Sequence, residues 1–386
     1  MFEPFPGNYV WNLSVNIALV TGGNLGEIEV ACRPLREAAA LGADASTSLF
    51  FDSWVALADS IAANASDDLE NGRSLSAAAK LKRCAIYYQV AERMQARDYL
   101  PRQDAYRKAL DCAIKSFELA RLPIQRVEIP YEGSSFPGLF WRAKSADGGA
   151  APAVVCCNGL DSTKEIVLWT GIGQALTERG ISVLCVDQPG TGEALRLNKL
   201  SGVHDSERWA SRAVDWLEEH PSVDSARIGM FGPSLGGYFA PRAVAFEKRF
   251  ALCAVFGANH GWGELQKRRR LKEGENPVPH YWEHVMWVFG KPDIDTFMAW
   301  APSMSLDGVV EKITVPFLVT HFAGDRQIPL EYAHRSYDQA VNSPKRELHI
   351  FTSKDYAVEH CELDNGTVGR DFVADWIAET FGLPMT

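Results

Sequence analysis

The pentapeptide Gly232-Pro233-Ser234-Leu235-Gly236 constrains this chain more than any other stretch. An apolar run with Ile228, Met230 and Phe231 enters it, and small residues followed by Tyr238, Phe239 and Ala240 leave it, which reads as strand, tight turn and helix. A G-x-S-x-G turn holds its serine in a strained conformation at a strand tip, tolerable only where the neighbours lack bulk; Gly232, Gly236 and Gly237 give that clearance. Ser234 is therefore a candidate nucleophile. The pentapeptide alone is a weak signal in a chain with 31 glycines, so the outcome turns on its partners.

A serine hydroxyl needs a base to take its proton, and a histidine with a pKa of about 6.5 suits that role. The chain order that goes with such a turn is Ser, then Asp or Glu, then His. Residues 316–321 form a buried-strand pattern that runs into Asp325, and residues 346–351 form a further strand with His360 in the loop beyond it. Ser234, Asp325 and His360 thus fall in order at strand ends, as a nucleophile, an orienting acid and a base require. Asp355 competes with Asp325 but lies too near His360 in sequence to come from a separate strand end. Among the nine histidines, His321 and His349 sit inside strands, and His260, His280 and His284 fall in or beside an aromatic insertion.

The tetrahedral intermediate of such chemistry needs N–H donors. The backbone of Leu235, directly after the nucleophile, is one; Leu160 on the loop after an earlier strand is the other, with Gly159 allowing close approach. The same loop also reads as a plain strand–helix turn capped by Asp161 or Ser162, and the two readings are compatible. Residues 187–193 carry glycines but lack the Lys-Ser/Thr ending of a phosphate loop, and read as a tight turn at the rim of the site.

Along the chain, residues 1–122 show apolar positions at three- and four-residue spacing over Glu27 to Leu41, Ser46 to Ala63, Ser74 to Arg97 and Arg102 to Leu122. Clusters such as Asp67-Asp68 and Asn71-Gly72 separate them. The aromatic residues here, among them Phe50, Phe51, Trp54 and Tyr87, read mainly as helix-packing groups. From Pro123 the period shortens, and strands alternate with helices to 386, the signature of a mostly parallel sheet covered by helices. Residues 258–311 interrupt that rhythm with Trp262, Trp282, Trp287 and other aromatics, an insertion placed to form a helical lid.

With 386 residues and 46% hydrophobic composition the chain can bury a large core, and a core domain plus an addition is expected. The net charge of −10 and the isolation of the basic run Lys267–Arg270 argue against a nucleic-acid partner. No run approaches the ~18 apolar residues that span a bilayer, and no secretory leader is evident. Eight cysteines without metal-ligand spacing fit a reducing, cytoplasmic setting, and no metal or cofactor is expected.

These residues resemble the serine α/β-hydrolase superfamily over about 123–386, in Asn158 to Glu165, Asp187 to Glu193, Gly232 to Gly237 and the stretch with His360 and Asp364. The Gly159 to Glu165 stretch and the helical N-terminal region are similar to the branch of 2,6-dihydroxypseudooxynicotine hydrolase and the fungal polyketide-shortening hydrolases. The resemblance implies an α/β-hydrolase fold with an N-terminal helical domain for capping or dimerisation, a homodimer, and cleavage of a carbon–carbon bond beside a ketone on an aromatic or polyketide substrate. It marks Gly159, Asp161, His260, Glu264 and Trp282 as substrate-contacting candidates, with His260 and Glu264 assisting substrate ionisation. A carboxylesterase or thioesterase using the same residues is the alternative. Two remoter readings are a silent binding protein and a peptidase, the latter without the β-repeat that would precede a prolyl-peptidase core.

Overall fold

Two periodicities divide the chain and build two kinds of structure. The computed structural model describes residues 1–41, 47–144, 149–272 and 278–384. One compact unit holds Met1–Ile124 with the described residues among 274–284; the other holds the rest of the chain.

The first unit is helical: α1 Tyr9–Val20, α2 Leu25–Cys32, α3 Arg36–Leu41, α4 Thr47–Glu70, α5 Ser74–Glu92 and α6 Pro101–Leu119. Its aromatic residues pack on one another as their helical spacing suggests, Trp11 on Phe50 at 5.1 Å and Trp54 on Tyr87 at 5.7 Å between ring centroids. Helix α1 does not follow from the apolar period, because asparagines interrupt it. Asn8 caps the helix by accepting from Trp11 N, while the amides of Asn12 and Asn16 bond the backbones of Phe5 and Phe2. Helix α4 runs through Asp67-Asp68, which the sequence reading takes as a break; Asp68 is buried and paired with Lys80 of α5. The helix expected over Glu27 to Leu41 is interrupted by a 3₁₀ turn at Arg33–Leu35, which contains Pro34. Ser46 lies outside the described residues. Between α5 and α6, the buried Arg102 guanidinium donates to Glu92 at 2.7 and 3.0 Å and to the Gln95 carbonyl at 2.6 Å.

In the second unit, β1 Ile124–Tyr131 and β2 Ser134–Trp141 are joined by the two-residue turn Glu132-Gly133, both with positive φ, as a type I′ hairpin requires. Then follow β3 Ala151–Cys156, α7 Lys164–Val167, α8 Gly173–Glu178, β4 Ser182–Val186, α9 Gly192–Arg196, α10 Glu207–Glu219, β5 Val223–Pro233, α11 Gly236–Phe246 and β6 Phe250–Phe256. After β6 come α12 Trp262–Leu271, α13 Tyr281–Val288, of which residues 281–284 belong to the first unit, and α14 Ile294–Trp300, and then β7 Phe317–Phe322, α15 Glu331–Gln339, β8 Arg346–Phe351 and α16 Val368–Thr380. Helices α7 and α8 are separated by a π turn in which Gly171 takes φ 93°.

The sheet order is β1-β2-β4-β3-β5-β6-β7-β8, with β2 antiparallel to β4 and every pair from β4 to β8 parallel. Strands β3, β4 and β7 are buried at every residue, as a sheet covered on both faces demands. This is an α/β-hydrolase fold. Because β4 and β5 lie on opposite sides of β3, the chain order reverses at β3, and the loops leaving β3 and β5 meet at the carboxyl edge of the sheet. Of the insertion expected at 258–311, residues 273–277 lie outside the described residues. Four of its aromatics are committed to packing, with Phe289 at 5.1 Å from Trp262 and 4.6 Å from Trp300, and Trp262 at 5.9 Å from Phe297.

Candidate active site

At the end of β5 the chain turns so sharply that Ser234 takes φ 56°, the left-handed region that L side chains avoid. The turn survives because a Cβ at Gly232 would lie 2.2 Å from the Gly236 carbonyl oxygen, and one at Gly237 would lie 2.2 Å from that of Gly257. Only glycine fits either place. Ser234 N donates to the Phe256 carbonyl at 2.9 Å, continuing the β5–β6 pairing one residue beyond the strand and fixing the elbow to the sheet.

Ser234 Oγ lies 2.9 Å from His360 Nε2, and His360 Nδ1 lies 2.8 Å from Asp325 Oδ2. The other Asp325 oxygen accepts from the backbone N–H groups of Gln327 (2.7 Å) and Ile328 (3.0 Å), so the carboxylate is held from both sides. Burial opposes charge on His360, yet the Asp325 carboxylate beside it raises its pKa well above the ordinary 6.5. Burial likewise pushes Asp325 up, and His360 outweighs it, holding the carboxyl below the usual range. Asp355 instead closes a turn on Thr352 N at 2.8 Å. This geometry can take a proton from a serine hydroxyl and stabilise the resulting imidazolium.

The loop after β3 comes against the serine: a Cβ at Gly159 would sit 3.1 Å from Ser234 Cβ and 3.4 Å from its Oγ. Among the described residues, the N–H groups of Leu160 and Leu235 donate to no protein acceptor. Residues 187–193 do turn, with Thr191 N donating to the Gln188 carbonyl at 3.0 Å, but all of them are buried. Asp187 is fully buried and anchors the 158–164 loop at both ends, its Oδ1 accepting from Asn158 Nδ2 (2.9 Å) and Lys164 N (2.7 Å). Its Oδ2 accepts from Lys164 Nζ at 3.0 Å and Glu193 N at 2.9 Å. The buried Lys164 ammonium also meets Glu165 at 2.6 Å and Glu193 at 2.5 Å. Burial disfavours that ammonium, but the three carboxylates outweigh it and raise its pKa; burial raises that of Glu165, despite Lys164.

A family model described as esterase FrsA-like matches residues 53–261, more than half of the chain. The chain belongs to the FrsA-like family of α/β-hydrolases. The prolyl oligopeptidase family also matches, over residues 172–382, which takes in all three of Ser234, Asp325 and His360. This FrsA-like hydrolase is 27% identical over 329 residues to 2,6-dihydropseudooxynicotine hydrolase of Paenarthrobacter nicotinovorans, covering 85% of the chain and 83% of the relative. It is 30% identical over 294 residues to the hydrolase LUC6 of a Fusarium species, covering 67% and 70%. The crystal structure of 2,6-dihydroxy-pseudo-oxynicotine hydrolase matches it with a TM-score of 0.77 at 23% identity, over 96% of this chain and 97% of that one, a likeness of fold. No described helix is long and apolar enough to cross a membrane.

Two further candidates of this FrsA-like hydrolase are engaged elsewhere. His260 is fully buried, with Nδ1 3.0 Å from Ser336 Oγ and Nε2 3.0 Å from Asp307 Oδ1. That is a second Ser-His-Asp run, but Ser336 is also fully buried and offers a reactant no approach. Burial lowers the His260 pKa despite Asp307. Glu264 pairs with Arg335 at 2.9 Å and Arg268 at 2.5 Å, so neither residue joins the hydrogen-bonded chain at Ser234. Trp282 belongs to the first unit and packs on Tyr281 at 5.1 Å. Asp161 is half-buried on the 158–164 loop.

Sequence reasoning named Asp364 only as part of a family-like stretch and gave no role to the groups that hold the histidine. Asp364 accepts from Val358 N (2.8 Å) and Glu359 N (3.2 Å), and Arg326 Nη2 donates to Glu359 Oε1 at 2.7 Å, tying the Asp325 and His360 loops together. Glu362 accepts from Thr367, Gly369 and Arg370 N–H groups at the start of α16, while Cys361 and Glu362 take φ 50° and 58°. Cys361 Sγ lies 3.6 Å from His360 Nε2. The acidic residues clustered around His360 in sequence are the one signal that pointed here.

Proposed function

We propose that this chain is a serine hydrolase that cleaves a carbon–carbon bond adjacent to a ketone in a β-diketone, acyl-phenol or polyketide-type substrate, releasing a carboxylic acid. The hydrogen-bonded run from Ser234 through His360 to Asp325 carries the reading. Ser234 Oγ attacks the ketone carbonyl as His360 takes its proton, and Asp325 holds the imidazole with Nδ1–H towards itself. The N–H groups of Leu235 and Leu160 receive the developing oxyanion. Collapse breaks the carbon–carbon bond, the electron pair leaving as an enolate or into a phenolic ring, and His360 returns the proton to that carbon. Water, activated by His360, then releases the acid and restores Ser234. The relative named as 2,6-dihydropseudooxynicotine hydrolase, a hydrolase of a small pseudooxynicotine-type molecule, supports the reading.

A carboxylic-ester substrate is the second reading, favoured by the family description of esterase. The same serine serves both, and the leaving group separates them. The test is product analysis by mass spectrometry for wild type and Ser234→Ala on aryl β-diketones and acyl-phenols against matched esters, with a prolyl 4-nitroanilide as the peptide arm. Serine-dependent ketone cleavage with little ester turnover is the expected result. Ester turnover with the ketones untouched would replace the proposal by the second reading, and full turnover by Ser234→Ala would end both.

A further inference from the structure

The β3 ladder ends where Cys157 N donates to the Phe231 carbonyl at 3.0 Å, and beyond that point the loop towards Leu160 pairs with no strand among the described residues. A single side chain takes over as partner. Gln188 Oε1 accepts from Asn158 N at 2.9 Å, and Gln188 Nε2 donates to the Asn158 carbonyl at 3.0 Å. This reciprocal pair reproduces, from one amide, what a neighbouring antiparallel strand would give the N–H and the C=O of that residue. Gln188 is fully buried, so no water competes for either bond. The peptide it fixes leads directly into Gly159, whose backbone lies against Ser234, and then into Leu160, whose N–H has no protein acceptor among the described residues.

We propose that Gln188 is a positioning residue for the oxyanion site, setting the direction of the Leu160 N–H by clamping the Asn158 backbone. This rests on the serine-hydrolase reading above. Gln188 acts on the orientation of the loop rather than on its attachment. Asp187 already ties down both loop ends through Asn158 Nδ2 and Lys164 N. Asn158 Nδ2 further donates to the Val186 carbonyl at 3.0 Å and lies 3.2 Å from Thr191 Oγ1. Losing Gln188 therefore leaves the loop in place but lets its first peptide unit rotate. A donor aimed at a developing charge is sensitive to small misplacements, and an error near 1 Å costs about 100-fold in rate.

The test uses the full chain and a fluorophosphonate probe, which needs no knowledge of the substrate. Ser234 Oγ forms the phosphorus–oxygen bond, fluoride leaves, and His360 takes the hydroxyl proton. Labelling rates are measured against probe concentration for wild type, Ser234→Ala, Gln188→Met and Gln188→Glu, with phenylboronic acid as a competitor that forms a tetrahedral adduct. In Gln188→Met the saturating rate should fall about 100-fold and boronate affinity by a similar factor. Half-saturation should stay within about twofold, because probe binding precedes the step the donor serves. Gln188→Glu keeps the volume and the acceptor for Asn158 N but loses the Nε2 donor, and should fall between. Wild-type saturating rates in both glutamine variants, with labelling still dependent on Ser234, overturn this assignment and leave the serine reading standing. Weaker half-saturation at an unchanged rate, or failure of both variants to fold, also overturns it, since Gln188 would then serve binding or the scaffold. A wild type that is not labelled, or a Ser234→Ala chain that is, removes the serine reading first.

Discussion

Replacing Asp325 by Asn tests the proposed relay at its least visible member, because the surroundings dictate how the new amide must sit. One carboxylate oxygen accepts from Gln327 N at 2.7 Å and Ile328 N at 3.0 Å, and the other faces His360 Nδ1 at 2.8 Å. An amide has one oxygen, and two backbone donors claim it. The NH₂ group is left facing His360 Nδ1, which must then be the bare nitrogen, so the ring proton moves to Nε2. That nitrogen is 2.9 Å from Ser234 Oγ and can no longer accept its proton. Loss of the correct tautomer in a serine relay costs about 10⁴ in kcat, which is about 5 kcal/mol of barrier. Every backbone bond at the position survives, so the chain should still fold cooperatively, with a lower midpoint because the charge interaction between Asp325 and His360 is lost. The assay is kcat on the best Ser234-dependent substrate, alongside urea unfolding. A well-folded Asp325→Asn chain that keeps more than about a tenth of kcat would refute the assignment, since the tautomer argument allows no such remainder.

Other outcomes follow from the same geometry. Ser234 needs a neutral His360, and Asp325 raises that pKa, so kcat/KM should climb with pH through a value alkaline of 6.5; an ascending limb at or below 6.5 would contradict the raised value. The shift also links to stability. The raised His360 contributes fully below the unfolded histidine value and is lost as pH rises through the folded one, whereas the depressed Asp325 contributes above the unfolded carboxylate value and is lost as pH falls through its folded one. Arg102→Met takes from the buried Glu92 carboxylate a guanidinium that donates to it twice and should cost about 1.5–3 kcal/mol in urea unfolding, with Arg102→Met/Glu92→Met recovering part of it; equal loss in the double variant would count against the ion-pair account. Gly237→Ala drives a Cβ to 2.2 Å from a backbone oxygen that cannot turn aside, so about 1–3 kcal/mol should be lost together with labelling of Ser234, and retention of both would show that the elbow is slack.

Much of this was readable before any coordinates, and the reason is local. Ser234, Asp325 and His360 each sit just past an apolar strand pattern, so chain order alone put three compatible chemistries at one edge of a sheet. What was not readable depends on partners distant in sequence. Gln188 looks like one residue of a glycine-rich turn until the Asn158 backbone, 30 positions away, is placed beside it. Helix α1 hides behind asparagines whose amides bond the segment before it, a use of polar side chains that breaks the apolar period. His260 carried the right chemistry in the right region, and only its hydrogen bonds to Ser336 and Asp307 show where it is spent.

The sheet places Ser234 after a central strand but His360 beyond β8, an edge strand paired on one side only, with partly exposed residues along its length. The base thus follows an edge strand, and 126 residues separate it from the serine it serves. Edge elements open locally at less cost than the molecule as a whole. Fraying of β8 would carry His360 away while β3 to β6 remained assembled, so in mild denaturant catalysis should vanish before the far-ultraviolet signal of the sheet changes. For this chain, activity would report on the β8 edge before it reports on the sheet as a whole.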